Sequence, residues 1–443
     1  MVIFVSSFFV LIAICGVFYY LTLDKQHSSS DPGFIAFQRT YLVVYLLAQG
    51  ADWLQGPHVY ALYSSYGMTS LQISQLFVAG FGSSMIFGTV IGSFADKLGR
   101  KANCILYGIL YGLDCLTKHV PSFWVLMIGR LLGGIATSIL FSAFESWLVC
   151  EHSKRGFSKD LLSVVFSHAV LGNSVIAILA GLVAQGVASQ FGFVAPFTLS
   201  LILLILVSGL VYLLWTENYG DSSGNFYKSF LSGISAIKND SKILCLGLIQ
   251  SFFEGSMYTF VLEWTPALTP VEKLGTKDVK QTIPHGWIFA SYMVSIMLGS
   301  SIFKYLCRTN SPESFMRVVF AVAAMSLTVP IISPKSQTSI FIAFLVFEVC
   351  VGIFWPALGT MRSKYVPEES RATIMNMFRI PLNFIVILIL LQDLPMAVTF
   401  KCCVIFLFSC SAFQHWMYKA CPQTNNSSTR QQVLVLPEGT EEV

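Results

Sequence analysis

Four stretches of this chain place ionisable or amide side chains at helical spacing inside apolar sequence. Tyr41, Tyr45, Gln49 and Asp52 recur at three- and four-residue steps and so share one face of a helix. Gln250, Glu254 and Tyr258 step by four, and Asn376, Arg379 and Asn383 share another face. Arg130 precedes Gly133 and Gly134, with Thr137, Phe141 and Glu145 continuing the same side. Ser167, His168 and Asn173 lie in a further apolar run, and Glu348 sits four residues before Gly352. An ionisable group in a hydrocarbon layer costs several kcal/mol unless it is paired or hydrated, so each marks a pathway candidate. Arginine stays charged and presents a planar fork of donors, which lets Arg130 or Arg379 hold a small tetrahedral anion without a metal. Asp52, Glu254 and Glu348 could take up and release protons beside it. Plainer readings stand next to these. Asp52 could hydrogen-bond a neighbouring helix, Arg130 could pair with Asp52 or Glu348, Glu145 could pair with Arg362 or Arg379, and His168 could be a packed, hydrogen-bonded side chain. Neither a Walker loop, a nucleophile–base arrangement nor zinc-ligand spacing occurs, so the residues point to no enzyme, metal or other cofactor.

The elements that must carry these residues follow from composition. The chain has 443 residues, 55% of them hydrophobic and 11% charged, with a mean hydropathy of +0.69. Soluble domains carry about 25% charged residues, so an all-α polytopic membrane protein is expected. The net charge of +4 resides in loops and gives no reason to expect nucleic acid. The 11 cysteines fall in apolar runs, loops on one side, or the tail, which suits core thiols better than disulfides. A first apolar run at 3–23 lacks a basic start and is followed by Lys25, the pattern of an uncleaved anchor with its N-terminus outside. Residues 24–37 read as a cytoplasmic linker. Twelve more runs follow, at 38–61, 71–95, 102–119, 122–148, 163–188, 195–216, 242–266, 285–306, 314–333, 339–361, 373–391 and 397–419. The expected organisation is an anchor and linker (1–37), a six-helix half (38–216), a polar central loop (217–241), a second six-helix half (242–419) and a disordered tail (420–443). Gly56-Pro57 should loosen the end of the first of these twelve helices, and Pro381 should bend the eleventh.

Between the runs at 71–95 and 102–119 lies Gly92-Ser-Phe-Ala-Asp96-Lys97-Leu-Gly99-Arg100-Lys101. Its glycines allow a sharp reversal, Asp96 can latch onto a helix end, and three basic residues fix the turn on the cytoplasmic side. Alternating sides from this turn leaves only Lys118, Lys273, Lys277, Lys280, Lys335 and Lys401 of 27 basic residues outside. With Arg130 and Arg379 inside helices, nineteen fall on the turn's side. The pattern Gly-x-x-x-Asp-x-x-Gly-Arg-Lys resembles the loop between helices 2 and 3 of the major facilitator superfamily. That resemblance implies a secondary transporter of two six-helix halves, with Gly92, Asp96, Gly99, Arg100 and Lys101 steadying one conformation and Arg130 linked to proton transfer. A second copy, from Gly299 to Arg308, lacks the acid and the second glycine.

More particular blocks are Ala51-Asp52-Trp53-Leu54-Gln55, Phe141-Ser142-Ala143-Phe144-Glu145-Ser146-Trp147, Trp264-Thr265-Pro266 and Phe378-Arg379-Ile380-Pro381-Leu382. They are similar to the eukaryotic molybdate-anion transporter family, as is the additional N-terminal apolar run. The resemblance implies uptake of the molybdate dianion, a tetrahedral oxyanion, across the plasma membrane. Coupling to protons through Asp52, Glu254 or Glu348, a monomeric state, and, from the turn's topology, a cytoplasmic C-terminus of a multi-pass chain are separate expectations. Composition and spacing do not separate molybdate from sulfate. They also leave open an organic-solute carrier of this fold and a non-transporting receptor or scaffold.

Overall fold

The computed structural model describes residues 2–21, 31–219, 234–235, 237–269, 283–366, 371–392 and 394–420. Its secondary structure is helical throughout. The additional N-terminal helix is α1 (Val2–Leu21). The first half contains α2 (Pro32–Gln55), α3 (Val59–Ser65), α4 (Ser70–Leu98), α5 (Arg100–Thr117), α6 (Phe123–Leu140), α7 (Ala143–Lys154), α8 (Lys159–Phe191) and α9 (Ala195–Leu214). The second contains α10 (Ser241–Leu268), α11 (His285–Cys307), α12 (Pro312–Ile332), α13 (Gln337–Tyr365), α14 (Arg371–Leu391) and α15 (Met396–Ala420). Two of the expected spans are interrupted: α2 and α3 are the parts of one, α6 and α7 of another. The central loop mostly, and the tail beyond residue 420, lie outside the described residues.

Local chemistry differs between the two breaks. At the first, Gly56-Pro57 interrupts the ladder as expected, and the chain restarts at Val59. The second is a correction to a continuous 122–148 helix. Thr137, Ser138 and Ser142 each turn their hydroxyls onto the carbonyl four residues back, at 2.9, 3.1 and 2.7 Å. The helix ends at Leu140, although Ser251, Ser256 and Thr259 make the same bonds inside the unbroken α10, so these bonds accompany the break without accounting for it. The start of α2 is a second correction. Asp31 accepts from the Gly33 amide at 2.9 Å and Pro32 occupies the first turn, so the expected linker's last residues are already helical.

Among the described residues, ten spans are apolar and long enough to cross a membrane. Helices α2, α5 and α14 are also at least 18 residues long but fall outside that set. They are the helices that carry Gln49 and Asp52, Asp114, and Asn376, Arg379 and Asn383, so polarity is concentrated where neighbouring protein can shield it.

Glycine sets the closest crossings. A Cβ on Gly134 of α6 would strike Ser83 and the Gly80 carbonyl of α4, and one on Gly352 of α13 would strike the Ile296 carbonyl of α11. Gly299 of α11 faces the Val349 carbonyl and Gly352 in return. Hydroxyl bonds accompany both crossings, Ser138 to the Ser84 carbonyl at 3.0 Å and Ser300 to the Gly352 carbonyl at 3.1 Å. This is the small-residue packing expected where lipid supplies no hydrophobic drive between helices. Helix α1 comes before the first half in sequence yet packs on the second. Phe8 meets Trp287 of α11 edge-on at 5.3 Å and Phe4 meets Phe341 of α13 at 4.8 Å.

The halves meet along α8 with α11 and α4 with α14. Both seams lie away from the face that carries the α4–α5 turn. Gly181 and Gly286 approach backbone to backbone, Gln185 accepts from the Gly286 amide at 2.8 Å, and Trp53 contacts Phe289 at 5.9 Å. Along the other seam, Tyr63, Ile73, Leu76 and Phe77 share one buried cluster with Leu382 and Val386. Gly134→Val should force α4 and α6 apart and destabilise by about 1–3 kcal/mol. Gly82→Ala, which adds a methyl into open space, should not. Thermal unfolding of the detergent-solubilised chain checks this: a lowered midpoint for the first variant and an unchanged one for the second.

Candidate functional site

The polar stripes lie on α2 in the first half and on α10 in the second. On α2, Tyr41 stacks on Tyr45 at 5.5 Å and leads into a ring stack of Trp147 on Trp215 at 3.8 Å. Gln49 is buried, and the Tyr111 hydroxyl of α5 donates to Asp52 at 2.6 Å. The helix-to-helix hydrogen bond considered for Asp52 is therefore formed. Two more candidates also tie α8 to α2. Gln38 bonds the His168 ring at 2.7 Å, and the Trp53 indole donates to Asn173 at 2.8 Å.

Arg130 is packed against α4. Its Nε donates to the Leu76 carbonyl at 3.4 Å, its guanidinium lies 5.1 Å from the Phe77 ring centre, and a side chain on Gly80 would collide with it. The acids in its electrostatic surroundings are Asp52 and Asp114. Glu348 is not among them; it lies buried in the second half, near Tyr292. Asp114 and Lys118 were not foreseen as a site. They form an ion pair one helical turn apart, both side chains 0% exposed. Lys118 was expected in an outer loop; instead its ammonium sits 5.8 Å from the Tyr63 ring centre. The i,i+4 spacing of Asp114 and Lys118 at the end of an apolar run was the available signal.

In the second half, Glu254 faces Arg362 of α13, Oε1 to Nη2 3.8 Å. Gln250 is buried one turn away, and Asn383 is buried on α14. Tyr258, one turn along the same stripe, meets Phe81 of α4 at 5.0 Å, which fixes that stripe toward the first half. Glu145 lines a groove of about 640 Å³ on the turn-bearing face, with Arg100, Phe141, Ser142 and Tyr219. Its anticipated partner Arg362 pairs with Glu254 instead. The side chains of Asn376, Arg379 and Asp96 lie outside the described residues, and Gly92 is described only as backbone within α4.

The rest of the turn motif is described. Gly99 has a φ of +102°, which favours glycine, and Glu217 occupies the place a Cβ would take. Glu217 accepts from the backbone amides of Lys101 at 2.8 Å and Ala102 at 3.2 Å, so a carboxylate caps the positive end of α5. Arg100 donates to the Ser146 carbonyl at 3.1 Å and the Lys101 ammonium to the Tyr212 carbonyl at 2.9 Å. The latch role expected of Asp96 thus has a described counterpart in Glu217, which follows α9 and carries no motif signature. Among the described residues no group of three or more His, Cys, Asp and Glu could hold a metal.

A family model described as sugar transporters with 12 transmembrane segments matches residues 3–353. The molybdate-anion transporter of Xenopus tropicalis is 33% identical over 400 residues, covering 86% of this chain and 86% of its own length. That of Danio rerio is 32% identical over 408 residues, covering 84% and 82%. The chain belongs to the molybdate-anion transporter family of the major facilitator superfamily. The fold agrees. The nucleoside transporter NupG (D323A mutant) superposes with a TM-score of 0.68 at 12% identity, covering 87% of this chain and 99% of NupG. A peptide transporter POT in complex with sulfate gives 0.67 at 12% identity, covering 93% and 97%. These family relatives and structural neighbours are transporters, not enzymes.

Because both members of the Asp114–Lys118 pair are fully buried, Asp114→Asn or Lys118→Met alone should destabilise by roughly 3–5 kcal/mol. The double variant should recover most of that loss, since neither charge is then left unpaired. Unfolding midpoints of the three variants in detergent measure the coupling; additive losses would show that the pair is not energetically joined.

Proposed function

We propose that this chain is a secondary active transporter that carries molybdate across a membrane by alternating access. The observation that carries the reading is its 33% identity, over 86% of its length, to a molybdate-anion transporter. The geometry is compatible with it: each half carries a polar stripe, on α2 and on α10, and Trp53 and Tyr258, beside and on those stripes, make contacts between the halves. The reading places the turn-bearing face in the cytoplasm, where nineteen of the 27 basic residues then fall. It puts the N-terminus of α1 outside and the C-terminus inside, in the cell membrane. The chain acts as a monomer of two halves, 38–216 and 242–419, behind an anchor at 1–37, with 217–241 as the central loop and 420–443 as a cytoplasmic tail.

A dianion crossing low-dielectric space needs compensating positive charge. In this reading Arg130 and Arg379 supply it, helped by the amides of Gln49, Asn173, Gln250, Asn376 and Asn383 and by Tyr45. Asp52, Glu254 or Glu348 exchanges a proton with each cycle, and Glu145 and His168 contact the pathway near its cytoplasmic mouth. Gly92, Asp96, Gly99, Arg100 and Lys101, with Glu217, hold the first half in one state.

Uptake of molybdate into cells lacking their own transporter tests the reading. Expected are saturable accumulation, competition by sulfate and none by sugars; accumulation equal to that of empty cells would refute it. In the same cells, Asp52→Asn and Glu348→Gln should flatten the dependence of uptake on external pH. If both retain the wild-type rate and pH profile, those two carboxylates are not the proton carriers.

A further inference from the structure

We infer that Arg362 is an oxyanion-binding residue of the second half, held in readiness by Glu254, and that the substrate displaces Glu254 from it. The inference rests on the transport reading and names a residue that neither the helix-face pattern nor the turn motif singles out.

Arg362 and Glu254 attract one another without a proper hydrogen bond. Their nearest oxygen and nitrogen are 3.8 Å apart, whereas a charge-assisted N–H···O bond runs about 2.7–2.9 Å. The Arg362 Nε is buried with no hydrogen-bond partner, and the same holds for the Gln250 side-chain oxygen one turn from Glu254. Leaving a buried donor on a cation unmet is costly. The Arg362 fork matches a tetrahedral oxyanion in shape: two of its oxygens can take Nε and Nη together, which one carboxylate oxygen 3.8 Å away does not. The Gln250 amide, turned about its last bond, would present its NH2 to a further oxygen.

Placement supports access. On α13, Trp355, Gly359 and Arg362 lie at i, i+4 and i+7, one face of the helix. Trp355 is 40% exposed and a Cβ on Gly359 would meet open space, while Arg362 keeps 19% of its side chain exposed. The α10 stripe that holds Glu254 continues to Tyr258, which touches the first half. Glu254 thus lies one turn from a contact with the first half, and Arg362 beside it keeps part of its side chain exposed. Arg130 differs in every respect: it lies against α4 near the closed seam, with the Phe77 ring, the Leu76 carbonyl and Gly80 around its guanidinium.

Because Glu254 competes with the anion for Arg362, the proposal makes an unusual sign prediction. Glu254→Gln should bind molybdate more tightly than the native chain, roughly tenfold by equilibrium titration, while its uptake shows a lower KM and a lower maximal rate. Arg362→Gln should weaken binding roughly 100-fold, and Arg362→Lys, which keeps charge but loses the fork, by about tenfold. Should Arg362→Gln fail to fold, Arg362→Gln combined with Glu254→Gln removes both charges and should give a folded chain without oxyanion binding. The experiment titrates sodium molybdate and sodium sulfate into the full-length chain in lipid nanodiscs, with uptake measured in parallel. Native-level affinity in folded Arg362→Gln, or weaker binding in Glu254→Gln, would overturn the inference. Molybdate uptake by the native chain with unchanged Arg362 variants sinks the inference and leaves the transport reading intact. Sulfate binding that depends on Arg362, with no molybdate uptake, upholds the oxyanion site and refutes molybdate as the substrate.

Discussion

A charge buried in hydrocarbon has to be answered inside the protein, and this constraint orders most of the structure. Asp114 and Lys118 answer each other within one helical turn. Asp52 is answered by a tyrosine from α5, and Arg130 by a backbone carbonyl, an aromatic face and two acids in its surroundings. These contacts cross between α2, α4, α5 and α6, so the residues that first suggest a transport pathway are also those that join four helices of one half. A substitution at Asp52 or Arg130 therefore alters packing and chemistry together. The pair of Glu254 and Arg362 stands apart because its members attract but do not complete one another.

The two halves reach similar solutions with different residues. Each brings two helices together at glycine, Gly134 on Gly80 and Gly352 on Gly299, and each adds a hydroxyl-to-carbonyl bond beside the crossing. On the turn-bearing face each also closes a helix terminus with a glutamate. Glu217 caps α5, whereas Glu313 in the first turn of α12 accepts from Lys364 and from the Tyr365 hydroxyl of α13, both at 2.7 Å. The decayed second turn, Gly299 to Arg308, has lost the acid that defines the motif, but the half still carries an acid nearby that ties two helices together. The repeat is thus better preserved as packing geometry than as sequence.

Periodicity made the helices legible but not every point at which they end. The apolar runs located each of the ten described spans long and apolar enough to cross a membrane, because a hydrocarbon layer demands about twenty such residues. They could not show the break after Leu140, because back-bonding hydroxyls like those of Thr137 and Ser138 occur equally in the unbroken α10. Site candidates were found where an ionisable residue stood alone in an apolar face. Asp114, Lys118 and Arg362 were passed over because they stand near the ends of runs, where a charge in sequence looks solvated. Glu217 was passed over for a related reason: its contact with α5 joins residues 116 positions apart, and local pattern carries no trace of it.

The closed seam indicates what opening it would require. Its described contacts are mainly apolar or backbone ones: Gly181 against Gly286, Trp53 against Phe289, Phe81 against Tyr258, and one amide bond from Gly286 to Gln185. His58 and His285 add a buried ring contact at 5.6 Å between the halves. Parting such a seam exposes aromatic surface and frees few hydrogen bonds, so its stability follows buried area rather than a charge network. Elsewhere the described groups are more polar: Glu145 and Arg100 share a groove of the first half, and Glu254 pairs with Arg362 inside the second. Two regions held by different physics allow a bound anion to bias one without disturbing the other, because its charge acts on Arg362 and Glu254 and has little purchase on a seam of glycines and rings.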